Sequence, residues 1–518
     1  MRTTCPDQPD VPACIAYNCE LNPNALCCAL LHKGLWVNYS RIEFWQHVTA
    51  YAGLFQRELK EKTLILFSKK LDIHLLSAYI GAMLAGHLPA QISPTSSKLS
   101  DAEYRRKIDH IHAITQFGAI FADAEQQPQF ANLPNIKFLS LTTSLNPCST
   151  TDFKPAGEAL VQFSSGTTGL QKGVILSHKA IIQHMQAYAD NLQLNSADAI
   201  ASWLPLYHDM GLIACYLMPL MCGIPFYQMD PFEWVVQPDL LLAAIEEFKP
   251  TLCFLPNFAY HLLAAKGKDH NLSSIRRWIN CSEPARAHTH VQFLSRFQSV
   301  RPESLTVCYA LAEATFAVTQ SAPRGSSSTV TAEGSEALSC GAPLVGIELR
   351  IYTTGNEKKG EIGVRSATLY QQFLDGTRPL EDGFYKTGDI GYLNKDGELV
   401  VIGRKKDLII VCGKNIFPQD VEYITSQIEG VHPGRVAALG ILNTELGSED
   451  LFIFAERLAA QSPTALKIAI QKAVQNEIGV VPKKVEIFEH MSLVKTTSGK
   501  VCRSRNRELY LEKSLIPI

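Results

Sequence analysis

The chain predicts an α/β fold of layered sheets and helices with parallel strands, divided into a large N-terminal domain and a small C-terminal one. Three observations predict it. The 518 residues exceed the size at which one hydrophobic core stops growing. Segments of helical period alternate with strand-like runs along most of the chain, the pattern of sheets covered by helices. Past a charged cluster, Arg404 to Asp407, a second and shorter alternation begins, long enough for a unit of about a hundred residues.

The first alternation is clearest where LDIHLLSAYIGAMLAG, a helix by period, runs into HLPAQIS, followed by ITQFGAIFA and ALVQFSS as strands. SAPRGSSSTVTAEGSE, Ser321 to Glu336, reads as a surface connection inside the first domain. In GELVVIGRKKDLIIVCGKNIFPQDVE the charged cluster separates two β-branched runs, VVIG and LIIV, and suits a hinge. Beyond it DVEYITSQIEG and ALKIAIQKAVQNEIG predict amphipathic helices, and VAALGIL and LFIFAE predict strands. KTTSGKVCRSRNRELYLEKSL reads as a polar loop entering a basic helix. The expected division is 1–403, a hinge at 404–406, and 407–518. No fixed-period repeat is evident.

Composition narrows the function by exclusion. With 48 basic and 50 acidic side chains the formal charge is −2, which provides no electrostatic footprint for nucleic acid or an anionic membrane. The longest apolar run, Ala214 to Tyr227, is too short to span a bilayer and contains Pro219 and Pro225. The N-terminal MRTTCPDQPDVPACIAYNCE lacks the uninterrupted apolar stretch of a secretory signal. The 14 cysteines are scattered, without zinc-site spacing or a compact disulfide framework, so reduced thiols in a cytoplasmic protein are expected.

The chemistry concentrates in VQFSSGTTGLQKGVILSH, Val161 to His178. Hydroxyls of Ser164, Ser165, Thr167 and Thr168, with backbone N–H groups freed by Gly166, Gly169 and Gly173, can line a surface suited to phosphate oxygens, with Lys172 supplying charge. The spacing is not that of G-x-x-x-x-G-K-[ST], and alone the stretch equally fits a capped strand-to-helix turn. His208 beside Asp209 has no H-E-x-x-H context and no second histidine at ligand spacing, which disfavours a metal centre there.

Together with YALAEAT (Tyr309 to Thr315), KTGD (Lys386 to Asp389), GRKKDLI (Gly403 to Ile409) and TTSGK ending at Lys500, the loop SSGTTGLQKG resembles the adenylate-forming superfamily over nearly the whole chain. SWLPLYHDMGL, FLPNFAYHLL, LSSIRRWINCSEPARA, LSCGAPL and SGKVCRSRNRELYLEKSL look most like fatty acyl-AMP ligases. The resemblance implies the adenylate-forming fold with a mobile C-terminal domain, ATP and Mg²⁺ as cofactors, and conversion of a medium- or long-chain fatty acid to acyl-AMP. Acyl transfer to the phosphopantetheine thiol of an acyl carrier protein would follow. It further implies that the Ser164–Lys172 loop wraps the β- and γ-phosphates, Glu313 helps hold Mg²⁺, and Lys500 bridges carboxylate and α-phosphate. Asp389 and Arg404 would contact ribose, Tyr309 and the Ser282–Glu283–Pro284 segment would flank adenine, His208 would lie near the acyl carboxylate, and Lys406 would be the hinge.

Two features depart from those ligases. Gln171 replaces a residue that is usually small or apolar, and the segment Gln320 to Ser339 is shorter than the insertion thought to restrain domain rotation and disfavour coenzyme A. Free coenzyme A therefore stands as the alternative acceptor. An alternative of another class is a non-catalytic nucleotide- or acyl-binding protein, against which the joint presence of Lys172, Glu313, Asp389 and Lys500 counts.

Overall fold

The structure, a computed structural model, describes residues 5–95, 101–131, 133, 135–140, 153–163, 172–323, 337–353, 355, 357–411, 414–443, 448–458, 462–495 and 501–517, without the side chains of 101–103. Two large sheets dominate. One has seven strands, ordered Gln372–Phe373, Gly173–Ser177, Glu158–Phe163, Leu88–Gln91, Leu64–Ser68, Ala119–Ala122, Lys137–Leu139. The other has nine, with Phe226–Gln228, Ile200–Ser202, Leu252–Leu255, Arg277–Asn280 and Leu305–Ala310 running parallel at its centre.

The helix expected after Leu71 spans Ile73–Leu84. It starts where it does because the Asp72 carboxylate accepts the Leu75 N–H at 2.7 Å, and it is apolar nearly all round because it lies between sheet and helices. The apolar run Ala214 to Tyr227 is divided among a π-helical segment Met210–Leu217, a short helix Met218–Cys222 and the strand Phe226–Gln228. Among the described residues no helix is long and apolar enough to cross a membrane.

The expectation of parallel strands holds for the centres of both large sheets and fails between Ile347 and Arg404. There Ile347–Tyr352, Gly360–Ser366, Leu380–Glu381, Phe384–Leu393 and Leu399–Arg404 form an entirely antiparallel five-stranded sheet. The reason is connection length: Leu380–Glu381 and Phe384–Leu393 are joined by Asp382 and Gly383, both at positive φ, a two-residue reversal that leaves no room for a crossover helix.

The largest hydrophobic cluster runs from Cys5 to Leu399 and joins residues of all three sheets. Two further clusters lie wholly beyond it in sequence, one from Ile409 to Ile487 and one from Ala437 to Leu515. They pack around the antiparallel pair Val431–Asn443 and Ser448–Arg457, with Lys484–Phe488 added in parallel, and around helices Pro418–Ser426, Pro463–Ile478 and Arg503–Leu511. All described cysteines are free thiols, and each except Cys502 is buried.

Candidate active site

The centre of the site is made where the second large sheet meets the antiparallel one. Tyr309 leaves the strand Leu305–Ala310, and its hydroxyl donates to Asp389 Oδ2 at 2.6 Å. Arg404 lies directly across from Asp389 on the neighbouring antiparallel strand, and its Nε stands 3.0 Å from Asp389 Oδ1. Asp389 as a whole is only 4 % exposed. Burial and then the Asp389 charge raise the Tyr309 phenol well above its ordinary value, so it remains a donor. Burial opposes the charge on Arg404, but Asp389 and Tyr309 outweigh it and hold the guanidinium above its ordinary value. Each carboxylate oxygen still has a second lone-pair direction for a ligand hydroxyl.

Glu313 follows on the 3₁₀ turn Ala312–Ala314, which ends at Thr315 with φ +68. A β-branched residue in that region is strained. The turn is held by the Thr315 hydroxyl, which donates to Thr368 O at 2.8 Å, and by the Tyr370 N–H, which donates to Glu313 O at 2.8 Å. Glu313 Oε1 accepts from the Tyr385 hydroxyl at 2.9 Å. Burial raises the Glu313 pKa, Arg404 works against that rise, and the Asp209 charge adds to it.

Asp209 and His208 come from the loop before the π-helical segment, with His208 Nδ1 3.4 Å from Asp209 Oδ1. Asp209 Oδ1 also accepts the Met210 N–H at 2.8 Å and so caps that segment. The loop folds tightly back on it, since a Cβ at Gly211 would lie 2.2 Å from Pro205 O. His208 thus stands next to a carboxylate that acts on Glu313.

The other expected residues are placed as follows. Ser282 adopts φ +72. Glu283 Oε2 accepts the Phe258 N–H at 3.0 Å at the start of the helix Asn257–Lys266, so this side chain fastens that helix, and Pro284 follows it in irregular backbone. Lys172 is exposed, with its ammonium 4.9 Å from the centre of the Phe373 ring. Lys406 lies exposed in the 3₁₀ turn Lys405–Asp407 directly after Arg404. Ser164, Ser165, Gly166, Thr167, Thr168, Gly169 and Lys500 lie outside the described residues, as do Gln171 and Gly413.

The sequence reading missed Tyr385, Tyr370 and Phe373. Tyr385 was within reach: it lies four residues before Asp389 on the strand Phe384–Leu393, although a bulge over 387–389, with Gly388 at positive φ, breaks the strict alternation between them. Among the described residues no group of three or more His, Cys, Asp or Glu is gathered for a metal ion. Glu313 alone suits Mg²⁺, which is commonly held by one or two carboxylates together with substrate phosphates.

Residues 15–374 match the AMP-binding enzyme family. The chain belongs to that family. This AMP-binding enzyme is 29% identical to the medium-chain-fatty-acid–[acyl-carrier-protein] ligase JamA of Moorena producens, over 89% of the chain and 87% of JamA. It is 25% identical to a long-chain-fatty-acid–AMP ligase of Mycobacterium marinum, over 96% of the chain and 97% of that protein. Its fold is that of the adenylate-forming enzymes. The fatty acid AMP ligase of Legionella pneumophila superposes over 99% of the chain and 97% of its own length, with a TM-score of 0.71 and 26% identity. A fatty acyl-adenylate ligase structure from work on the E. coli and L. pneumophila enzymes gives a TM-score of 0.85 at 23% identity, covering 98% of this chain and 99% of that one.

Proposed function

We propose that this AMP-binding enzyme activates a medium- or long-chain fatty acid as acyl-AMP, releases pyrophosphate, and passes the acyl group to the phosphopantetheine thiol of an acyl carrier protein. The observation that carries the reading is the Tyr309–Asp389–Arg404 corner, a buried carboxylate whose charge is already compensated and whose remaining lone pairs suit two vicinal ribose hydroxyls. The fatty acid and the carrier protein follow from the relatives named above, whose own names carry those substrates.

In this reading a fatty-acid carboxylate oxygen attacks the α-phosphorus of ATP, and the bond to pyrophosphate breaks. Negative charge accumulates on phosphate oxygens, so cations and oriented donors lower the barrier. Lys172 with the hydroxyls of Ser164, Ser165, Thr167 and Thr168 meets the β- and γ-phosphates. Lys500 bridges the incoming carboxylate and the α-phosphate. Tyr309 and the Ser282–Pro284 segment flank adenine, and His208 orients the acyl carboxylate. Bound Mg²⁺ supplies further neutralisation of phosphate charge, with Glu313 as its protein ligand. In the second half-reaction the carrier thiol attacks the acyl carbonyl, and AMP leaves.

The chain divides in this reading at 404–406, with Lys406 as the pivot between 1–403 and 407–518. The separate hydrophobic clusters on either side of that stretch support the division. Rotation there withdraws Lys500 and admits the thiol. We place the reaction in the cytoplasm, where free thiols such as those of this chain persist.

The test combines enzyme, radiolabelled decanoate, ATP and Mg²⁺ with either coenzyme A or a phosphopantetheinylated carrier protein, and resolves the products. Acyl-AMP alone and acyl-carrier with the second acceptor are expected, with at most slow acyl-CoA formation. Rapid acyl-CoA formation transfers the chain to the coenzyme A ligases, and no acyl-AMP with any fatty acid removes the reading.

A further inference from the structure

Lys172 is the one described cation of the phosphate-loop motif, and the structure shows what it rests on. Its ammonium sits 4.9 Å above the centre of the Phe373 ring. Phe373 is 2 % exposed and is wedged between two tyrosines, its ring centre 4.7 Å from that of Tyr370 and 6.4 Å from that of Tyr385. The tyrosines pack edge-to-face at 5.4 Å. Both reach Glu313, Tyr385 through its hydroxyl and Tyr370 through its backbone N–H.

The backbone fixes this cluster to the lysine. Gln372–Phe373 pairs antiparallel with the strand that begins immediately after Lys172, with Phe373 opposite Val174. The Leu374 N–H donates to Gly173 O at 2.8 Å and the Gln371 N–H to Ile175 O at 2.9 Å. A Cβ at Gly173 would lie 2.1 Å from Leu374 Cδ1, so the two segments meet without room for a side chain. Beyond the ring, the turn at Asp375 adds a carboxylate. Its pKa is lowered by bonds from Thr377 and, to a lesser degree, by the Lys172 charge.

A free lysine side chain loses much rotamer freedom when it meets a phosphate, and a ring face that already holds the ammonium removes part of that cost beforehand. The ring covers one side only, and the exposed side keeps its donors. We propose that Phe373, braced by Tyr370 and Tyr385, is a positioning residue that holds the Lys172 ammonium ready for the β- and γ-phosphates of ATP and sets it in fixed relation to Glu313. This rests on the reading that Lys172 meets the triphosphate. The ring touches neither substrate nor reacting atoms.

The test is calorimetric titration of the full chain with MgATP and, separately, with AMP, which lacks the phosphates in question. Phe373→Leu and Phe373→Met both remove the ring face and leave a small void of similar size, which the flexible Met side chain fills more readily. Both are expected to weaken MgATP binding about three- to tenfold and to leave AMP binding within twofold. In a Lys172→Met background neither is expected to change MgATP binding further, because the partner is gone. Equal losses for MgATP and AMP overturn the proposal, as does a loss that persists without Lys172, or tighter MgATP binding, which would make the ring a resting place the lysine must leave. Should Phe373→Leu fail to fold, Phe373→Met and the Lys172→Met background carry the same comparison. Failure of the functional reading looks different: wild-type chain that binds MgATP yet shows no fatty-acid-dependent pyrophosphate exchange loses the activity and leaves the titrations decisive for Phe373. Wild-type chain that binds no MgATP overturns both.

Discussion

Asp389 and Glu313 are two carboxylates of one site, held in opposite ways. Asp389 is bonded on both oxygens, to a phenol and to a guanidinium on the adjoining strand, so its charge is balanced before any ligand arrives. Glu313 has a neutral phenol on one oxygen, and burial raises its pKa. A balanced carboxylate is a rigid acceptor, fit for neutral hydroxyls. An unbalanced one in the same surroundings is a place where a cation gains more than it would in water. The contrast separates a nucleotide-selecting group from one that takes part in the charge changes of the reaction.

The largest effect expected from that contrast is at Glu313. Glu313→Gln keeps an acceptor for the Tyr385 hydroxyl and removes only the charge, so ATP binding without Mg²⁺ is expected to change little. Fatty-acid-dependent pyrophosphate exchange is expected to fall by about 10²–10³-fold, the order found when one group stabilising transition-state charge is removed. Exchange within threefold of wild type would place the charge requirement elsewhere and collapse the contrast.

At Asp389 the effect belongs in binding. Asp389→Ala removes a charge-assisted acceptor of about 1.5–3 kcal/mol, roughly tenfold to a hundredfold in ATP affinity. Nucleotide titration reads it, and AMP and ATP are expected to weaken by the same factor because both carry the ribose. A loss confined to ATP would move Asp389 from the ribose to the phosphates.

Tyr385→Phe sharpens the other side. It leaves the ring against Phe373 and Tyr370 and takes away the hydrogen bond that the phenol donates to the Glu313 carboxylate. The Mg²⁺ concentration for half-maximal exchange is expected to rise about three- to tenfold, in line with the net worth of one typical hydrogen bond, about 0.5–1.5 kcal/mol, with the affinity for AMP unchanged. A lower Mg²⁺ requirement would show that the phenol competes with the ion for Glu313.

How much of this was legible in the sequence depends on how local each contact is. Asp389 and Arg404 belong to short motifs separated by one hairpin, and Tyr385 precedes Asp389 on the same strand, across a bulge at Gly388 that plain alternation does not anticipate. Phe373 is different. It meets Lys172 only because Gln372–Phe373 pairs with Gly173–Ser177, a pairing between segments far apart in the chain whose register no local pattern fixes. The Glu283 side chain accepts the N–H of Phe258 at the start of the helix Asn257–Lys266, a contact between segments 25 residues apart that no local pattern in the sequence announces. The antiparallel sheet between Ile347 and Arg404 carries a local signal of its own, the apolar–polar alternation of IELRIY in Ile347–Tyr352, which sets it apart from continuously apolar parallel strands such as Leu252–Leu255.

The smallest effect expected is at Tyr309, and its direction is informative. Tyr309→Phe keeps the ring and removes the donor to Asp389 Oδ2. In the free protein this leaves a buried carboxylate oxygen short of a partner, which costs about 1–3 kcal/mol of stability. In the nucleotide complex a ribose hydroxyl can donate to the vacated position, so part of that cost is returned on binding. Thermal unfolding of the variant is therefore expected to shift downward without nucleotide and to recover more than the wild type does when AMP is added. AMP affinity is accordingly expected to tighten. A tenfold loss of AMP affinity at unchanged stability would mean that the phenol itself bonds the nucleotide and that Asp389 is not yet balanced in the free protein, which would make the two carboxylates alike.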